Sequence, residues 1–313
     1  MIVFGIFTGL FPGIHINLVG AGLLSLVAGG YFSGIEGLVL AVFVVVMAVT
    51  HTMIDFIPSI FLGAPEEESY LSVLPGHRLL KKGRGYDAVV VSFYGCLAAI
   101  PVVLVFSFLF NFFLSDFYGL IRNWIGFILI FVSCFLIFSD KNFLRAFAIF
   151  FLAGVLGLLT FNFSVREPLL PVLSGLFGVS SLIMSLKEKT IVPKQRIKSL
   201  REINVGGKKF RTFFAGALSG PMCSFLPGIG SGHAAVIGSE IAGTKLNSRS
   251  FLFLNGMINM IVMSLSFVTV YVLGRGRTGA AVAVQEILKE ISLSNLVLIL
   301  FFAFASAGIV FLI

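Results

Sequence analysis

Long apolar stretches alternate with short polar connections along the whole chain, and their lengths predict the elements. A helix that crosses a bilayer needs about 20 mainly apolar residues. Stretches of that order cover residues 35–58, 88–114, 119–138, 143–163, 250–273 and 292–313, and a shorter apolar segment covers 168–186. Two further stretches come in halves: residues 1–11 and 14–28 flank Pro12-Gly13, and residues 212–226 and 229–243 flank Pro227-Gly228. A full span follows each pair of halves, so the opening pattern returns after residue 211 as an internal repeat.

Proline at each break removes a backbone donor and disfavours helix in the residue before it, and the following glycine permits a sharp reversal. Broken backbone at membrane depth survives only where protein or a cavity surrounds it. The predicted fold is therefore an all-α polytopic membrane protein with inverted repeats, each a Pro-Gly re-entrant helical hairpin plus spanning helices. Residues 1–186 form the first repeat with additional spanning helices, 187–211 a basic loop, and 212–313 the second repeat and the final spanning helix.

Composition excludes a soluble domain, with 58% hydrophobic and 12% charged residues and a mean hydropathy of +1.06. The net charge of +8 does not imply nucleic acid, because the basic residues sit in connections between apolar stretches. From Lys187 to Arg211 nine basic residues oppose only Glu188 and Glu202. The positive-inside rule places that loop in the cytosol of a multi-pass cell-membrane protein. Counting crossings back puts the 63–87 loop on the same side. The opening MIVFGIFTGLFPG lacks a basic n-region, so it reads as part of the fold. Cys96, Cys134 and Cys223 lie in apolar stretches without ligand spacing and read as buried packing residues.

Candidate chemistry gathers at the two breaks. A half-helix starting there points its N–H groups and positive dipole end into the membrane interior, which suits a carboxylate or phosphate. The first break offers Pro12, Gly13, His15 and Asn17, and the second Pro227, Gly228, Gly230, Ser231, Gly232 and His233. The packing alternative is that small residues such as Gly5, Gly9 and Gly13 only bring helices together. His51 and Asp55 stand four apart, on one face of the 35–58 span, as a proton relay or cation site. In the repeat, Asn255 and Asn259 share a face in the same way and read as substrate contacts or helix glue, while Glu240 shares a face with His233 as a further ion-coupling candidate.

Four segments carry a resemblance to the TctA family, the large permease subunit of tripartite tricarboxylate transporters, and especially to its shorter archaeal branch. They are GLFPGIHINLVGAGLL, GAPEEESYLSVLPGHRLLKKG, PLLPVLSGLFGVSSLI and FLPGIGSGHAAVIGSEIAG. The resemblance implies a carrier whose Pro-Gly tips bind an anionic substrate, with Pro12, Gly13, Pro227 and Gly228 as its site candidates. The chain is also similar to membrane families that return polyprenyl phosphate carriers across the bilayer.

The expected function is thus a secondary transporter moving an anionic, carboxylate-type substrate by alternating access between the tips. The alternative is a translocase (flippase) of a polyprenyl-phosphate lipid carrier. No nucleophile with a base and orienter is legible, so no enzyme is expected. Nor is a metal or cofactor, beyond a coupling H⁺ or Na⁺. The expected partners are the lipid bilayer and an anionic small molecule or lipid phosphate, with no nucleic acid. A homo-oligomer and accessory subunits stay open.

Overall fold

A computed structural model describes residues 1–12, 14, 16–63, 69–163, 172, 174–180, 183, 187, 192–207, 209–226, 228–243 and 246–313. The helices are α1 (Ile2–Leu10), α2 (Ile16–Ala28), α3 (Gly37–Ile54), α4 (Phe56–Phe61), α5 (Val73–Leu80), α6 (Gly85–Leu109), α7 (Ser115–Ile121), α8 (Ile125–Ser139), α9 (Phe143–Phe161), α10 (Lys209–Phe225), α11 (Ser231–Ile241), α12 (Ser248–Leu273), α13 (Gly279–Leu288) and α14 (Leu293–Leu312). No strand occurs among the described residues. Five helical runs among them, Gly37–Phe61, Gly85–Ser139, Phe143–Phe161, Ser248–Leu273 and Leu293–Leu312, are long and apolar enough to cross a membrane. Most of the expected 168–186 segment lies outside the described residues.

Two expected boundaries shift for local reasons. The 35–58 span continues to Phe61 but breaks at Asp55 between α3 and α4. Pro58 cannot donate to the Ile54 carbonyl four residues back, and its ring crowds that oxygen. The expected loop at 115–118 is helical, joining two spans through a π turn at Phe110–Leu114 and a 3-10 turn at Arg122–Trp124. Its residues include neither proline nor glycine, so nothing in the backbone stops the helix. No residue of α8 is buried, and Cys134 is exposed on it rather than packed inside, because α8 meets the core through Ile128, Leu129 and Val132 on its opposite side; Cys96 and Cys223 are buried as expected.

Glycines set the closest approaches. At the crossing of α6 and α12, a Cβ on Gly256 would land on the Ser92 carbonyl oxygen, and one on Gly95 would lie 2.8 Å from the Met257 nitrogen. The Cys96 thiol donates to the Gly256 carbonyl at 3.3 Å in the same place. In a bilayer, where apolar side chains gain little by leaving lipid, such backbone proximity is what holds helices together.

The same contacts give the helix directions. A Cβ on Gly5 would meet Thr50 at 2.5 Å and one on Gly9 would meet Ile54 at 2.8 Å, so α1 runs parallel to α3. Gly216 likewise faces Leu254 and Met257, and Gly220 faces Ile261, so α10 runs parallel to α12. The α3–α4 run ends where α6 and α12 begin. A Cβ on Gly85 would be 3.0 Å from the Phe61 ring, and Asp87 of α6 pairs with Arg249 of α12 at 2.6 Å. Hence α1 and α3 run toward this end of the molecule, and α10 and α12 run away from it.

Basic connections gather at this same end. The Arg196 amide donates to the Gly83 carbonyl at 2.8 Å, Gln195 accepts from the Gly85 amide at 2.7 Å, and the Tyr94 hydroxyl donates to the Leu200 carbonyl at 2.7 Å. The loops at 81–84 and 194–201 therefore share one face, in agreement with the charge pattern.

Candidate functional site

The first half builds a buried polar column where α1 ends. Gly5 and Gly9 seat α1 on α3, which brings the Thr8 hydroxyl within 3.1 Å of His51 Nδ1. His51 and Asp55 are both buried, at 1% and 5% exposure, a costly placement for ionisable side chains in a membrane-spanning element. One turn further on, the buried Ser59 hydroxyl donates to Asp55 Oδ1 at 3.4 Å and shares a hydrogen bond of 2.6 Å with Ser69. Pro12 follows as a half-buried turn residue. Gly13 and His15 lie outside the described residues, and Asn17 falls in the first turn of α2.

The second half presents glycine-rich backbone between α10 and α11. Gly228 has φ +76°, a left-handed conformation that only glycine adopts without strain. Gly230 is the N-cap of α11 and has no atom near the place a Cβ would occupy. His233 is exposed, and its Nδ1 accepts the Gly230 amide at 3.3 Å, so it closes the helix start rather than standing apart from it. Both half-helices start four residues after their proline, at Ile16 and Ser231, not at the break itself. Ser231 is buried in that first turn. Pro227 lies outside the described residues.

A tyrosine links the two halves. A Cβ on Gly232 would lie 2.7 Å from the Tyr70 hydroxyl oxygen, so the absence of a side chain there admits the ring of a first-half loop residue. Tyr70 directly follows Ser69, and the path Asp55, Ser59, Ser69, Tyr70, Gly232 runs from the end of α3 to the start of α11.

Asn255 and Asn259 occupy one stripe of α12, with Ser266 two turns on, and all three are buried. The Asn255 side-chain nitrogen and oxygen have no hydrogen-bond partner among the described residues. A buried amide in that state costs free energy that a bound polar group would offset. Glu240 is exposed in the last turn of α11. No group of three or more His, Cys, Asp and Glu residues able to hold a metal occurs among the described residues.

Sequence reasoning overlooked Thr8, Ser59, Ser69 and Tyr70. Ser59 could have been found, because it extends the four-residue spacing of His51 and Asp55. Thr8, Ser69 and Tyr70 depend on tertiary contacts that no spacing reveals.

A family model for the Tripartite tricarboxylate transporter TctA family matches residues 1–313. The uncharacterised protein MJ1079 of Methanocaldococcus jannaschii is 32% identical over 300 residues, covering 94% of this chain and 73% of that protein. No solved structure matches the chain.

Proposed function

The chain belongs to the tripartite tricarboxylate transporter TctA family, a family of membrane transport components, and from that premise we propose that it carries an anionic, carboxylate-type substrate by alternating access. The substrate sits between the two Pro-Gly breaks, and the helices around them expose it to each face in turn. The observation that carries this reading is the opposed direction of α1, seated on α3 beside the buried polar column, and α10, seated on α12. The amides at the start of α11 supply the positive dipole end, Gly228 and Gly230 let an anion approach the backbone, and Asn255 offers an unpartnered amide.

His51 and Asp55 take the coupling role in this scheme, binding H⁺ or Na⁺, because they are buried beside the first break. The hairpin at the second break, whose halves α10 and α11 pack on one another, is re-entrant, and the basic loops face the cytosol of the cell membrane. The tripartite character of the family implies accessory subunits that deliver substrate from outside.

The test is a thermal-shift screen of purified protein against citrate, other small carboxylates, inorganic phosphate and a polyprenyl phosphate. Bound ligand stabilises by mass action, roughly 2.7 kcal/mol at a hundredfold excess over Kd. Saturable stabilisation by a small carboxylate that is lost in Gly230→Ala supports the proposal. Gly230 has φ −88° and open space around it, so alanine fits the fold while its methyl blocks the anion's approach. A response confined to polyprenyl phosphate would reassign the site to a lipid translocase, and no response to any of these ligands would remove its support.

A further inference from the structure

An apolar groove of about 330 Å³ opens between α10 and the π turn after α6, next to the second break but apart from the polar column. Its volume falls at the lower end of the roughly 300–1,000 Å³ typical of small-ligand sites. Phe110, Leu114, Pro221 and Phe225 form a buried floor, and Phe113 and Met222 form an exposed rim. Every lining side chain is apolar.

Two arginines contact residues that adjoin its lining in the chain. Phe117 belongs to the groove, and the next residue, Tyr118, accepts a hydrogen bond of 3.4 Å from Arg275. Arg277 interacts electrostatically with Tyr118 and with Cys223, which follows the groove residue Met222. Its Nη1 is buried without a hydrogen-bond partner, and neither arginine pairs with a carboxylate among the described residues. Burial pulls the Arg277 pKa below its usual value, while Tyr118 and Cys223 act the other way; a guanidinium nonetheless stays charged in proteins. Both arginines follow the end of α12, opposite the face where the basic loops gather, so the charge bias that orients the protein does not account for them.

We infer that this groove and its arginines form a binding site for an anionic phospholipid, the acyl chain lying against Phe110 and Phe225 and the headgroup meeting Arg277 and Arg275. An apolar trough ending in a partly buried, unpaired guanidinium is complementary to a chain ending in a phosphate. The site does not depend on the transport substrate, since it shares no residue with the polar column.

The experiment is native mass spectrometry of delipidated, detergent-solubilised protein titrated with phosphatidylglycerol or with phosphatidylcholine of identical chains. Phosphatidylglycerol is expected to be retained roughly tenfold better, falling to the phosphatidylcholine level in Arg277→Gln. Met222→Trp fills the rim from an exposed position and is expected to weaken retention of both lipids. That variant also keeps the inference testable if Arg277→Gln fails to elute as a folded species. Equal retention of the two lipids overturns it, as does an unchanged preference in Arg277→Gln or unchanged retention in Met222→Trp. Inorganic phosphate competing as well as phosphatidylglycerol would also overturn it, by reducing the site to a bare anion pocket.

Discussion

Replacing Gly256 with alanine tests whether the α6–α12 crossing holds the molecule together. The new methyl would land on the Ser92 carbonyl oxygen, with the Ser92 carbonyl carbon at 2.9 Å and Cα at 3.2 Å. Relieving this to ordinary contact near 3.5 Å requires the helices to part by about 1 Å at the crossing. A gap of that size forfeits roughly a quarter to a half of each affected dispersion contact. Phe253, Met257, Met260 and Ala99 are all buried on these two helices, and the Cys96 hydrogen bond to the Gly256 carbonyl would stretch as well. Overpacking a core costs about 1–3 kcal/mol, and a clash with backbone, which cannot rotate away, belongs at about 3 kcal/mol. At about 2–4 °C per kcal/mol, the apparent melting temperature of detergent-solubilised protein should fall by about 6–12 °C. Fluorescence-detected size exclusion after heating measures this, with Gly154→Ala as the control, because a Cβ there meets open space on the exposed helix α9. A Gly256→Ala protein melting within about 2 °C of Gly154→Ala would refute the reasoning.

Asp87 is buried between Arg84 at 2.9 Å and Arg249 at 2.6 Å, so Asp87→Asn should destabilise by roughly 3 kcal/mol, the low end for a broken buried pair since both arginines keep solvent contact; the same heating assay reads it. Thr8→Val removes the hydroxyl beside His51 Nδ1, and substrate uptake by proteoliposomes should drop severalfold while the elution profile stays normal. Gly228→Ala should lower the melting temperature where Gly230→Ala does not, because only Gly228 has positive φ, and parallel melting curves of the two variants check this.

The apolar spans and the two Pro-Gly breaks were legible because each is written in consecutive residues. The close packing of α1 was legible in the four-residue spacing of Gly5 and Gly9, but not that α3 receives it, which spacing within one helix cannot reveal. The break at Asp55 could have been read from Pro58, since a proline acts on the carbonyl four residues before it. The joined run from Gly85 to Ser139 was not legible, because polar residues at 115–118 resemble a loop unless backbone propensity is weighed against hydropathy. At the site, His51, Asp55, Asn255 and Asn259 stood out as polar residues in apolar surroundings. Tyr70 did not, because its role depends on Gly232, 162 positions along the chain, leaving room for its ring. The amide of Gly230, held by His233, shows how a side chain taken for a ligand contact also completes a helix start.

The crossing at Gly95 and Gly256 has a mechanical consequence. α6 comes from the first half of the chain and α12 from the second, yet their backbones touch, and Asp87, Arg249, Ser250 and the 194–205 segment tie their starts together. Meanwhile α13 and α14, from the second half, pack on α3 of the first. Each half thus lends helices to the other, and backbone contacts cross between the two halves rather than stopping at their boundary. The closest packing groups α6 with α10, α11 and α12, and α1 and α3 with α13 and α14, while α12 also touches α3, α13 and α14. Tyr70 reaches from the first half to Gly232 of the second, so any shift of one group against the other would be felt at that contact.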